Sequence, residues 1–194
     1  EHALPAPPPD LCSRPRRLRL SLAMGPPGVA AGNAHGQNAG APPPPVARGL
    51  RAVWVATVEN IDWPSRPGLS TDAQQREMIA ILDKLVELRM NAVIFQVRPA
   101  ADAFYASKIE PWSEFLTGKM GRAPSPFSDP LAFTLAEAHK RGLELHVWIN
   151  PYRARYSRAR PASSDHISRT NPSLVRNYVP YVWMDPGNPA VRER

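Results

Sequence analysis

An α/β fold built from strand–helix repeats is what this sequence predicts, and three observations carry the prediction. From residue 46 onward, short β-branched and aromatic runs alternate with stretches whose apolar residues recur every three or four positions. Pro, Gly or Asn punctuates most of the junctions. None of the apolar runs approaches the roughly 18 residues of a membrane-spanning helix, which argues against an integral membrane segment.

Taken in order, Ala52 to Val58 (AVWVATV) reads as a buried parallel strand, with Trp54 expected in the core. The turn Trp63-Pro64-Ser65-Arg66-Pro67-Gly68 follows. Thr71 and Gln74 then have capping-box spacing, and Met78, Ile79, Leu82, Leu85 and Val86 form one helix face. Ala92 to Arg98 (AVIFQVR) is the second strand, with Val93, Phe95 and Val97 on one face and Ile94, Gln96 and Arg98 on the other. The stretch from Pro99 to Ser128 is long for a loop in a compact domain, which marks it as functional. A second helix has Asp129 as N-cap, Pro130 at N1 and Gly142 as its stop. The third strand, Leu143 to Ile149 (LELHVWI), sets its Leu, Val and Ile residues against Glu144, His146 and Trp148. Pro172 to Val179 is expected to form a short helix and Tyr181 to Met184 a fourth strand. Asn188-Pro189 caps a helix with five residues of chain after it, so the chain reads as a fragment ending within a repeat. A closed eight-strand cylinder usually takes about 250 residues, so residues 46–194 amount to the N-terminal half, about four β/α repeats, of a TIM-type (β/α)8 barrel. Neither GxGxxG nor GxxxxGK[ST] occurs, which argues against a nucleotide-binding open sheet.

Residues 1–45 differ in character. They hold 11 of the 24 prolines and five of the 11 glycines and no aromatic residue, so they are expected to form a disordered tail. Arg14, Arg16, Arg17 and Arg19, overlapping and followed by Leu18, Leu20 and Leu22, faintly resemble a degraded secretory leader, which Pro26-Pro27 interrupts. The lone Cys12 excludes an internal disulfide and a multi-cysteine zinc site. The net charge of +7 rests on short basic clusters, among them Arg153, Arg155, Arg158 and Arg160, which read as a solvated face; no nucleic-acid partner is expected.

In either α/β architecture ligands bind where strands end. Those ends hold Asn60 and Asp62; Gln96, Arg98, Asp102, Tyr105 and Trp112; His146, Trp148, Asn150, Tyr152 and Arg153; and Asp185. Aromatic rings beside amides, carboxylates and arginines suit a sugar polymer, whose ring faces stack while its hydroxyls need donors and acceptors. His146 serves equally as a site residue or as a hydrogen-bonded interior histidine. Asp102 is the nearest sequence partner for a buried Arg98. With no HExxH or close His pair, neither metal nor cofactor is expected.

Residues 48–187 resemble the bacterial glycosyl-hydrolase-like 10 family, through RGLRAVWVATVENIDWP (Arg48 to Pro64), NAVIFQVRPAADAFYASKIEPWSEFLTG (Asn91 to Gly118), DPLAFTLAEAHKRGLELHVWINPYR (Asp129 to Arg153) and MDPG (Met184 to Gly187). The resemblance implies a TIM-type barrel of the cell envelope that hydrolyses denuded peptidoglycan strands. It also implies a carbohydrate cleft containing the residues named above from Asn60 to Arg153, in which Arg98 or Arg153 would suit a lactyl carboxylate. Hydrolysis of a glycosidic bond normally uses two carboxyl groups, and Asp62, Asp102 and Asp185 are the catalytic candidates, with no pair singled out. A non-catalytic carbohydrate-binding remnant of the same barrel is the alternative.

Overall fold

The computed structural model describes residues 49–156 and 161–193. The tail over residues 1–45, its basic run, Arg158 and Arg160 lie outside the described residues.

The first strand, β1 (Ala52–Val55), pairs in parallel with β2 (Ala92–Arg98), which pairs in parallel with β3 (Glu144–Ile149). β1 is shorter than the sequence suggests, for a local reason. Beyond Val55 the backbone amides are taken by side chains: Ala56 N donates to Asp62 Oδ2 (2.8 Å), and Thr57 N and Val58 N donate to Gln96 Oε1 (both 2.9 Å). The chain turns instead through a short 3-10 segment, Val58–Asn60, in which Glu59 and Asn60 both take φ of 54°.

Two helices cover one face of this sheet. The first, α1 (Thr71–Glu87), is capped by Ser70, one residue before the position that the spacing suggests, and its Oγ accepts from Ala73 N. After β2 comes a single helical turn, α2 (Glu114–Thr117), and then α3 (Pro130–Lys140). Asp129 caps α3 with Pro130 at N1, and Gly142 follows it at φ 68°, all three as expected. Met78, Leu82 and Leu85 of α1 and Ala138 of α3 pack with Val55, Val93, Phe95 and Val97 of the strands, and Leu116 of α2 with Trp63 and Phe104 from the loops completes this core. The opposite sheet face is open among the described residues. Trp54 is 58% exposed there, which corrects its assignment to the core.

The remaining strands form a second sheet. β4 (Arg153–Tyr156), then a turn of helix α4 (Ile167–Thr170), then β5 (Val175–Tyr178) and β6 (Tyr181–Met184) give an antiparallel sheet in the order β4-β6-β5, before α5 (Pro189–Arg192). Two expectations are corrected here. Tyr181 to Met184 is a strand, yet it joins an antiparallel sheet rather than extending the parallel one. Pro172 to Val179 holds only a 3-10 turn, Pro172–Leu174, before entering β5, because its amides find the β6 backbone. Asn188 caps α5 as its spacing implies. The second sheet is two-sided: β6 alternates, and a register shift between Arg153 and Arg155 in β4 brings Tyr156 to the side of Tyr181 although Ala154, two residues earlier, is buried on the other. Ala154, Val182 and Met184 are buried with Ala101, Ile167 and Val191, while Tyr156, Tyr181 and Trp183 form a contiguous row of rings.

Candidate active site

The loop after β2 is where the two sheets meet, and the backbone there is held from several sides. Ala100 N donates to Asp102 Oδ1 (2.8 Å), and Ala101, fully buried, takes φ of 52°, a left-handed conformation that costs a non-glycine residue about 1 kcal/mol or more. His166 clamps the same turn to β4. The Ser168 amide can only donate, so His166 Nδ1 accepts, and the proton on Nε2 is shared between the carbonyls of Ala100 (3.2 Å) and Ala154 (3.1 Å). Burial holds this imidazole below its ordinary pKa, which keeps it neutral and keeps that pattern intact.

Beside the clamp lies a cavity of about 270 Å³, bordered by Glu59, Asp102, Glu114, Phe115, Trp148, Arg153, Arg155, Tyr156 and Tyr181 among others. Asp102 is fully buried, and burial raises its carboxyl from 3.8 to about 6. Hydrogen bonds from Ser113 and Ala100 N pull the other way, and the nearby charges of Glu110 and Glu114 add to the rise. A carboxyl that keeps its proton into mildly acidic solution is able to act as a proton donor. Trp148 is fixed by Asn150: the indole Nε1 donates to Asn150 Oδ1 (2.9 Å), and Asn150 Nδ2 donates to Pro99 O (3.0 Å). Trp54 meets Trp148 edge-on, with ring centroids 5.0 Å apart.

Of the sequence-derived candidates, this cavity brings together Asp102, Trp148 and Arg153, with Asn150 as the support for Trp148 and Gln96 beneath the β1 turn. The others lie elsewhere. Asn60 is committed to the carbonyls of Pro64 (2.9 Å) and Phe115 (2.8 Å), and Asp62 to Ala56 N. Asp185 closes its own turn onto Gly187 N (2.9 Å) and faces Arg176 at 3.4 Å. His146 is on the open sheet face against Glu144 (3.0 Å), so it is not an interior histidine. Trp112 packs against Phe127 and the first core.

Arg98 departs furthest from expectation. A register shift after Gln96 pairs Arg98 with Ile149, breaking the alternation that would set it beside Gln96. Its guanidinium ion-pairs with Glu110 (2.6 Å), not Asp102, and donates to Asn150 O (2.6 Å). Arg98, Tyr105 and Tyr152 border a second cavity, of about 350 Å³, with Ile149 and Arg192.

Among the cavity residues that the sequence did not single out are Glu114, Tyr156 and Tyr181. Glu114 lies in a loop turn with no periodic signal, and the tyrosines come together only when β4 and β6 pair. Among the described residues no group of three or more His, Cys, Asp or Glu side chains is placed to hold a metal ion. Nor is any helix among them long and apolar enough to cross a membrane.

Comparison with known proteins adds independent findings. The family model described as glycosyl hydrolase-like 10 matches residues 49–194. The chain is 49% identical over 148 residues to glycosyl hydrolase YngK of Bacillus subtilis, a match covering 75% of this chain and 29% of YngK. It is 48% identical over 111 residues to glycosyl hydrolase DigH of Escherichia coli K12 and equally to DigH of Shigella flexneri, covering 54% of this chain and 25% of each relative. The matches thus span between a quarter and a third of those relatives' length.

Proposed function

Because the chain belongs to the glycosyl hydrolase-like 10 family, we propose that it supplies the sugar cleft and proton donor of a glycoside hydrolase acting on bacterial cell-wall glycan, specifically peptidoglycan strands stripped of their peptides. The observation that carries this reading is Asp102, a carboxyl raised to about 6 on the border of a cavity lined by aromatic rings and arginines. Hydrolysis needs a protonated acid at the departing oxygen and a second carboxylate at the sugar carbon. Asp102 takes the first role. Glu59 and Glu114 border the same cavity and are candidates for the second, together with any carboxylate from the part of the relatives that these residues do not match.

The parallel β1-β2-β3 sheet, with α1 and α3 on one face and Trp54 and His146 on the other, supports reading it as part of a TIM-type barrel whose interior is the open face. On this reading the 194-residue chain is a fragment that binds glycan without sustained turnover, and its place of action is the cell envelope, where the substrate lies.

Binding is the direct test. Isothermal titration of the chain with denuded glycan strands is expected to give saturable binding, and intact peptidoglycan much weaker binding. Equal affinity for both would defeat the denuded-strand assignment, and no binding to either would defeat the glycan reading.

A further inference from the structure

The second sheet turns its apolar side inward and leaves the other side lined with rings and positive charge. Tyr181 lies 5.3 Å from Tyr156 and 5.7 Å from Trp183, centroid to centroid. The Arg153 guanidinium lies over two of these rings, 5.3 Å from Tyr181 and 5.7 Å from Trp183. Stacking on aromatic faces holds a guanidinium flat and leaves its edge donors available. Arg153 makes no ion pair among the described residues, and its Nε is buried without a hydrogen-bond partner there. Arg176, opposite Trp183 across the strands, is turned toward Asp185 at 3.4 Å, so of these two arginines Arg153 is the one without an ion pair among the described residues. Arg153, Tyr156 and Tyr181 also border the Asp102 cavity, so the ring row continues directly from it.

We propose that this ring-and-arginine face is a subsite for a carboxylate-bearing sugar unit, seated next to the sugar whose bond lies at Asp102. The rings accept the apolar face of the pyranose, and the Arg153 edge donors take the carboxylate in paired hydrogen bonds. Arg98, the other arginine at the strand ends, has its guanidinium committed to Glu110 and to the Asn150 carbonyl. The assignment rests on the glycan reading above and adds to it which sugar the site prefers and which residue chooses it.

The test compares denuded glycan strands with the same strands whose carboxylates have been converted to neutral methyl amides, titrated against the chain and its variants. The native chain is expected to bind the acidic strands roughly ten-fold more tightly. Arg153→Gln lowers acidic-strand affinity to the neutral-strand level, Arg153→Lys retains part of the preference, and Trp183→Ala weakens both strands together. Equal binding of both strands by the native chain, or an Arg153→Gln variant that keeps the full preference, overturns the subsite while leaving the glycan reading intact. Binding to neither strand overturns both, as does tighter binding of single-stranded DNA, whose bases would stack on the same rings.

Discussion

The proposed role of Asp102 as proton donor is set against stability. Its folded pKa, raised from 3.8 to about 6, means that the folded state binds a proton more tightly than the unfolded chain. The stabilisation from that proton is fully present below about pH 3.8 and is lost as pH rises through about 6. The loss is on the order of 3 kcal/mol at most. Asp102→Asn keeps an acceptor for Ala100 N and carries no charge. Its stability advantage over the native chain, measured by urea denaturation across pH, is expected to be near zero around pH 4 and to grow to a plateau above about pH 7. A constant difference across that range would show that burial does not hold the Asp102 proton. His166 has the opposite sign: its depressed pKa makes it a group whose stabilisation falls as pH drops below about 6.5. Several single residues resisted sequence reading because their partners are distant in the chain. The choice of Glu110 by Arg98 depends on a register shift, and the exposure of Trp54 depends on what lies over the sheet.

Among the elements, those fixed by local chemistry were legible. The ends of α3 follow from Asp129, Pro130 and Gly142, and β2 follows from seven residues without Pro or Gly. The antiparallel sheet was not legible, because the partner of β5 is known only once the turn between Tyr178 and Tyr181 folds β6 back beside it. The Asp102 cavity was legible in part: strand-end reasoning found Asp102, Trp148 and Arg153, whereas Tyr156 and Tyr181 needed the pairing of β4 with β6. β3 raises a different point, because it is an edge strand and Val147 and Ile149 on its outer face are more than half exposed. An apolar edge strand of this kind favours pairing between chains. The 194-residue chain is therefore expected to self-associate in sedimentation velocity, and the double variant Val147→Thr, Ile149→Thr to shift the distribution toward monomer. A native chain that sediments as a monomer at micromolar concentration would contradict this.

For the molecule as a whole, the loop after β2 lies between a helix-covered parallel sheet and an antiparallel sheet that presents rings and an arginine, with Asp102 in that loop. In the proposed reaction Asp102 gives up its proton to the departing sugar. The test is reducing-end release from denuded glycan by a chimera in which residues 49–194 replace the matching part of YngK, with unaltered YngK assayed beside it. Turnover by the chimera is expected in mildly acidic solution, with a loss of about 100-fold or more on Asp102→Asn and substrate binding retained. A chimera carrying Asp102→Asn that cleaves as fast as its unsubstituted counterpart would contradict that role.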